Sequence, residues 1–276
     1  MSDVLTVDRV EDRLILTLND PDVRNALSVE MSEALQAALA PLDPPEDWPP
    51  VEADPEDSRV RCVVLQAAGQ TFCAGGDIQA MIEGVATEMP PAERIEVAGE
   101  AVNRAVQALY ECPLPTVAKV DGAAFGAGAA LAIAADVVLA SERARIGFGF
   151  RQVGLSVDSG TSYLLPRQVG ESRALDLVMT GDLLSADRAE ELGLFTRVFP
   201  EAEFEQRARG VVEQVAAGPT LALARSKELV RSGRDRSLSA AIDAELDALE
   251  STLGSADHRE GATAFMEHRD PEFEGR

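Results

Sequence analysis

Residues 116–140 read TVAKVDGAAFGAGAALAIAADVVLA. Thr116–Val120 is a short β-rich run, and Gly126 and Gly128 break it. The alanine-rich segment that follows, to about Ala134, is apolar on every side, which predicts a helix buried all round. Val137, Val138 and Leu139 then return to strand character. A strand, a helix and a strand in this order predict an α/β layered fold with parallel strands. Working outward, Val60–Gln66 reads as another buried strand. Residues 91–110 carry helical periodicity through Ile95, Val97, Ala101, Val102, Ala105 and Leu109. Ser28 is a candidate N-cap for a helix carrying Met31, Leu35 and Leu39. Two β-rich runs, Val4–Val7 and Leu14–Leu18, flank charged residues and read as a hairpin that Asn19-Asp20-Pro21 ends. Beyond Ser172 several helices follow, and the C-terminal part is almost wholly helical, with an acidic amphipathic stretch from Ser237 to Leu253.

The chain has 276 residues, 46% of them hydrophobic and 26% charged, enough for a substantial core. The longest apolar stretch, Ala123–Ala135, is too short for a bilayer and is interrupted by glycines, so no membrane span is expected. Forty-eight acids against 25 bases give a net charge of -23, and only Lys119 and Lys227 among the bases are lysines. Such a surface repels nucleic acid and anionic membranes. Two readings of the acidity stay open, an ordinary acidic protein and adaptation to a salty cytoplasm. Cys62, Cys73 and Cys112 form neither a disulfide framework nor a zinc pattern, and the opening MSDVLTVDRVEDR has no signal-peptide character. A reduced, cytoplasmic protein is the expectation. Residues 41–59, with six prolines and seven acids, read as a surface loop. Trp48 within it either anchors the loop or is a partly exposed ring.

Two glycine-containing turns follow predicted strands: Gly69–Ile78 and Asp121–Gly128. Small residues let another group approach the backbone closely. Two such turns at adjacent strand ends can present two backbone N–H groups to one oxygen, an oxyanion hole, with a helix dipole behind one of them. Cys73 reads first as a small buried hydrophobe. The only histidines, His258 and His268, are C-terminal, which argues against Ser-His-Asp and Cys-His chemistry and leaves no histidine-based metal site.

These segments resemble the crotonase family, the enoyl-CoA hydratase/isomerase superfamily, from about Val4 to Phe273. Asn19-Asp20-Pro21 with Arg24-Asn25-Ala26-Leu27 is similar to its opening CoA motif, Phe72–Ile78 to its first oxyanion motif, and Asp121–Gly128 with Ala132 and Asp136 to its second. Gly154-Leu155, Pro166-Arg167, Thr180-Gly181 and Ala189–Phe199 complete the order. The resemblance implies a spiral of ββα units over residues 1–205, with residues 41–59 as an insertion. It implies a helical oligomerisation region over 206–276 that builds a homotrimer or a dimer of trimers. It implies an acyl-CoA thioester as substrate, with no cofactor besides that coenzyme A. The thioester oxygen would accept from the amides of Gly76 and Ala127. CoA would lie along Arg24, Ala26, Leu27, Ala74, Asp77 and Ile78. From a neighbouring subunit, Phe265 and His268 match the family's adenine-pocket Phe and Lys, with Arg269 the adjacent base.

Hydratases of this family use two glutamates, and the matching positions here are Ala130 and Phe150. Neither can activate a water, so hydration is not expected. One carboxylate remains: Gly154–Tyr163 places Asp158 on a turn before a helix and is similar to the G-L-x-x-D-S-G-x-S-Y pattern of family isomerases, whose aromatic pair Phe148 and Phe150 match. A single acid suffices to carry a proton between two carbons while the enolate is held, and burial between aromatics is expected to raise its pKa. A plain alternative is Asp158 as the N-cap of the following helix. The leading expectation is an isomerase that shifts a double bond or opens a ring epoxide. A hydratase of altered or low activity, drawing on an acid such as Glu83, and a catalytically silent acyl-CoA-binding protein are the other two.

Overall fold

The structure, a computed structural model, describes residues 4–42 and 60–276. Trp48 and most of the acidic proline-rich segment lie outside them. Among the described residues ten strands run in chain order: β1 (Leu5–Val10), β2 (Arg13–Leu18), β3 (Cys62–Ala67), β4 (Thr71–Cys73), β5 (Thr116–Val120), β6 (Ala123–Phe125), β7 (Val137–Ser141), β8 (Arg145–Gly147), β9 (Leu183–Ser185) and β10 (Arg197–Phe199). The helices are α1 (Val29–Leu39), α2 (Ile78–Ala86), α3 (Pro91–Arg94), α4 (Glu100–Glu111), α5 (Ala127–Ala134), α6 (Thr161–Val169), α7 (Glu171–Thr180), α8 (Ala186–Glu191), α9 (Phe204–Ala216), α10 (Thr220–Ser232), α11 (Leu238–Leu253) and α12 (Ala256–Glu267).

The main sheet has the order β1-β2-β3-β5-β7-β10. The expected hairpin is there, with β1 antiparallel to β2 and Leu5 opposite Leu18. Every other pairing in this sheet is parallel. A parallel sheet is covered on both faces, so its strands are apolar on both. Val63 and Leu65 of β3 face the large core with Ala118 and Val138, while Cys62 and Val64 face a second cluster with Val117, Leu139 and the α9 residues Phe204, Ala208 and Val212.

A second sheet, β4-β6-β8-β9, was not visible in the sequence. The two glycine-containing segments read there as turns each hold a three-residue strand, β4 and β6, paired in parallel. Three residues are too few to show alternation, and their sheet position comes from the neighbours. The consequence is a repeating unit. β3 leads to β4 and then α2, β5 to β6 and then α5, and β7 to β8 and, past a short irregular stretch, α6.

Ser28 caps α1 as expected, accepting from the Met31 N–H at 3.1 Å. The helix expected over 91–110 differs. It is α3, then a π-helical turn at Ile95–Gly99, then α4. The wider turn leaves Ile95 and Val97 exposed and returns Val102, Ala105 and Leu109 to the core. α5 is buried at all eight positions, as its composition requires.

Asp136, at the start of β7, ties α10 to the sheet. Its carboxylate accepts from Thr116 N and Oγ1 at 2.8 Å each, and pairs with Lys227 at 2.8 Å and Arg231 at 2.7 Å. α11 has no buried residue. No helix among the described residues is long and apolar enough to cross a membrane. All three cysteines are free and buried.

Candidate active site

The site is built where β3 and β5, neighbours in the main sheet, pass into β4 and β6. Arg24 and Asn25 both have left-handed backbone, at φ 59° and 54°. Asn25, wholly buried, makes this fold-back possible. Its Nδ2 donates to the carbonyls of Ala68 at 2.9 Å and Thr71 at 2.8 Å, and its Oδ1 accepts from the Asp20 N–H at 2.8 Å. The segment then pairs with the first turn: Ala74 N–H donates to Arg24 O at 3.0 Å and Leu27 N–H to Gly75 O at 2.7 Å. Leu27 and Gly76 form a parallel bridge in which the Gly75 carbonyl, not the Gly76 amide, is used.

Gly75 has φ 100°, and a Cβ there would lie 2.8 Å from Phe125 O and 3.6 Å from Ala127 N. The two turns are therefore in backbone contact. A Cβ on Gly128 would lie 2.7 Å from the Cys73 Sγ, which fixes the start of α5 against β4. Ala127 is the first residue of α5, and the first intrahelical donor is Ala130, to Gly126 O at 3.1 Å. The Ala127 amide thus belongs to the set of N–H groups that a helix leaves without an internal acceptor, at the positive end of its dipole. Gly76 follows directly on the Gly75 contact, so the two expected donor positions lie on the two turns that touch.

The Cys73 thiol is wholly buried, and burial pushes its pKa up to about 12, with a hydrogen bond from the Gly75 backbone acting against it. It is a packing residue, since nucleophilic sulfur is the thiolate.

Asp158 precedes a tight reversal. Ser159 and Gly160 are both left-handed, at φ 52° and 71°, and the Thr161 N–H closes the turn on the Asp158 carbonyl at 2.9 Å. Asp158 is not the N-cap that the sequence offered as an alternative: α6 begins after Gly160, and no side chain caps it. The Asp158 carboxyl instead accepts from the Ser159 hydroxyl at 2.8 Å. The residue borders solvent, yet protein packed around the carboxyl raises its pKa above the ordinary carboxylate value, a rise the Ser159 hydroxyl partly offsets.

The other expected positions fall into three groups. Arg24 and Ile78 are exposed, and Ala74 is half-buried, beside the first turn. Asp77 is spent as the N-cap of α2, accepting from the Ala80 N–H at 3.0 Å. Ala26, Leu27, Ala130, Phe148 and Phe150 are buried. Phe148 is 0% exposed, within the large core, and Phe150 only 8%, so the aromatic pair packs the interior and does not stand open to a ligand. Third, Phe265 is 79% exposed on α12, and His268 is that helix's left-handed C-terminal residue. Neither joins the two turns within one chain. Arg269 is held by Glu260, at 2.5 and 2.9 Å, and by Glu267 at 2.8 Å. Glu83 lies exposed on α2 and accepts from Gln79 at 3.0 Å.

Two glycine-containing turns in backbone contact, one of them opening a helix at the positive end of its dipole, form a place where backbone amides could hold an oxygen. The profile of the enoyl-CoA hydratase/isomerase family matches residues 13–276. A Rhodobacter capsulatus protein named "Probable enoyl-CoA hydratase" is 37% identical over 268 residues, covering 96% of each chain. The 1,2-epoxyphenylacetyl-CoA isomerase of Escherichia coli is 33% identical over 264 residues, covering 95% of each. An enoyl-CoA hydratase from Polaromonas sp. JS666 superimposes with a TM-score of 0.86 at 32% identity, covering 98% of this chain and 99% of that one. The chain belongs to the enoyl-CoA hydratase/isomerase family and has the crotonase fold.

Proposed function

We propose that this protein is a CoA-thioester isomerase in which Asp158 carries the proton. The observation that supports this most is the combination of one carboxyl of raised pKa at Asp158 with an alanine and a phenylalanine, both buried, at the two hydratase acid positions. The Gly76 and Ala127 amides hold the thioester oxygen. Asp158 takes a proton from the carbon next to the thioester, and negative charge spreads onto that oxygen. The conjugate acid then returns the proton two carbons further along, so 3-enoyl becomes 2-enoyl, and no water is consumed. A raised pKa suits a group that must both accept and donate. Opening of a ring epoxide beside the thioester uses the same holder and the same acid. CoA lies beside Arg24, Ala74 and Ile78, with Ala26, Leu27 and Asp77 shaping the backbone beneath it. No cofactor beyond that CoA is required by this scheme.

Hydration of crotonyl-CoA is therefore expected to be negligible. The measurement is loss of the enoyl thioester absorbance in the ultraviolet, with 3-enoyl-CoA isomerisation run alongside. Hydration on the order of 10 per second or faster would sink the isomerase reading in favour of an altered hydratase. Binding of both thioesters without turnover of either would leave an acyl-CoA-binding protein.

Assembly belongs to the same reading. Leu238, Ile242, Leu246, Leu249 and Leu253 recur along one side of α11 and are all exposed. An apolar stripe of this length is covered in a working protein. A homotrimer or dimer of trimers covers it with a neighbour's surface and brings Phe265 and His268 to the neighbour's CoA. Light scattering in about 1 M salt, where the screening length falls to about 3 Å, is expected to give a trimer or hexamer. Self-repulsion at -23 per chain is damped there, so a monomer in that buffer rejects the assembly.

A further inference from the structure

We infer that Asn103 of α4 is a positioning residue that holds the Asp158 carboxyl in its working place through Ser159. This rests on the reading of Asp158 as the proton carrier. Ser159 is a buried residue, 1% exposed, with left-handed backbone at φ 52°. A side chain disfavours that conformation, so something must hold it. Its buried N–H also needs an acceptor. Asn103 supplies both needs in one bond: the Ser159 N–H donates to Asn103 Oδ1 at 2.8 Å, across 56 positions of sequence. The Ser159 hydroxyl in turn donates to Asp158 Oδ1 at 2.8 Å. The chain of contacts runs from α4 to Asn103, to Ser159, to the carboxyl.

The anchor is firm at its far end, because Val102, Ala105, Val106 and Leu109 seat α4 in the core. Without the Asn103 oxygen, the Ser159 amide loses the protein acceptor that fixes it, and the residue relaxes towards negative φ. That rotation swings the peptide joining it to Asp158 and takes the hydroxyl off the carboxylate. A base displaced by about 1 Å loses up to about 100-fold in rate, while CoA, held elsewhere, binds as before.

The charges around this turn do not supply an alternative. On α4, Glu100 and Arg104 pair with one another. On α6, Arg167 lies 3.4 Å from the centre of the Tyr163 ring and pairs with Asp235. The Asp158 carboxyl is shifted by burial and by the Ser159 hydroxyl alone.

The test compares Asn103→Ala, Asn103→Asp and Asp158→Asn in the full chain, with 3-enoyl-CoA turnover measured across pH and thermal melts recorded. Asn103→Ala is expected to lower kcat about 10- to 100-fold with KM little changed. Asn103→Asp keeps an oxygen that accepts from Ser159, so it recovers most of kcat at high pH. Its acid limb moves upward, because a second carboxylate opposes ionisation of the first. Full kcat in Asn103→Ala overturns the proposal, as does an equal loss in both Asn103 variants at every pH. If Asn103→Ala fails to fold, Asn103→Asp decides, and an unshifted acid limb or no recovery of kcat overturns the proposal. A fully active Asp158→Asn overturns the reading of Asp158 itself. An inactive Asp158→Asn beside a fully active Asn103→Ala overturns the positioning role only.

Discussion

Asp158→Asn is expected to lower isomerase turnover by about 100-fold or more, the usual scale for a positioned proton carrier, and to leave thermal stability intact. The amide keeps the shape and still accepts from the Ser159 hydroxyl, but it cannot take a proton. The sign of the stability effect follows from the pKa. The folded protein raises the Asp158 pKa, so the ionised carboxyl is the disfavoured form, and a neutral group at this position does not cost stability at neutral pH. Asp158→Ala is not expected to lose a helix cap, because α6 has no side-chain cap. In the parent enzyme, activity should fall as pH drops through the raised pKa, since a protonated Asp158 cannot start the reaction. Full turnover in Asp158→Asn would remove the proton carrier from the scheme, and Glu83 on α2 would become the acid to test.

Gly75→Ala is the second large effect. The position has φ 100°, where a side chain is strained, and the added carbon would lie 2.8 Å from the Phe125 carbonyl. That carbonyl is backbone and cannot swing aside, so the two turns separate. In the proposed scheme this takes the Gly76 amide off the thioester oxygen, and losing one such donor is expected to cost about 100- to 1000-fold in turnover. The strain also lowers stability by about 1–3 kcal/mol. Turnover at the parental level, measured on protein shown to be folded, would mean that the two amides do not act on one oxygen.

Much of the framework was legible in advance, for a local reason. The hairpin of β1 and β2, the Ser28 cap, the strands β3, β5 and β7 and the alanine helix α5 each carry their signal within a few residues. The small strands β4, β6, β8 and β9 do not. Each has three residues, and only pairing across the second sheet makes them strands. The π-helical turn at Ile95–Gly99 was hidden by a periodicity that looked continuous, since Ile95 and Val97 are apolar but face outward.

The candidate site divides in the same way. The sequence by itself determined the residue types at hand: glycine-containing turns after strands, no histidine near them and, through the resemblance to the family, Ala130 and Phe150 at the hydratase acid positions and a carboxylate at Asp158. Residue identity sets those limits without any coordinates. The tertiary structure alone decided that Asp158 is no cap, that Phe148 belongs to the core, and that Arg269 is already engaged by two glutamates. It alone brought Asn103 to Ser159, because a hydrogen bond across 56 residues depends on how α4 packs against the turn before α6, and nothing local in either segment encodes that meeting.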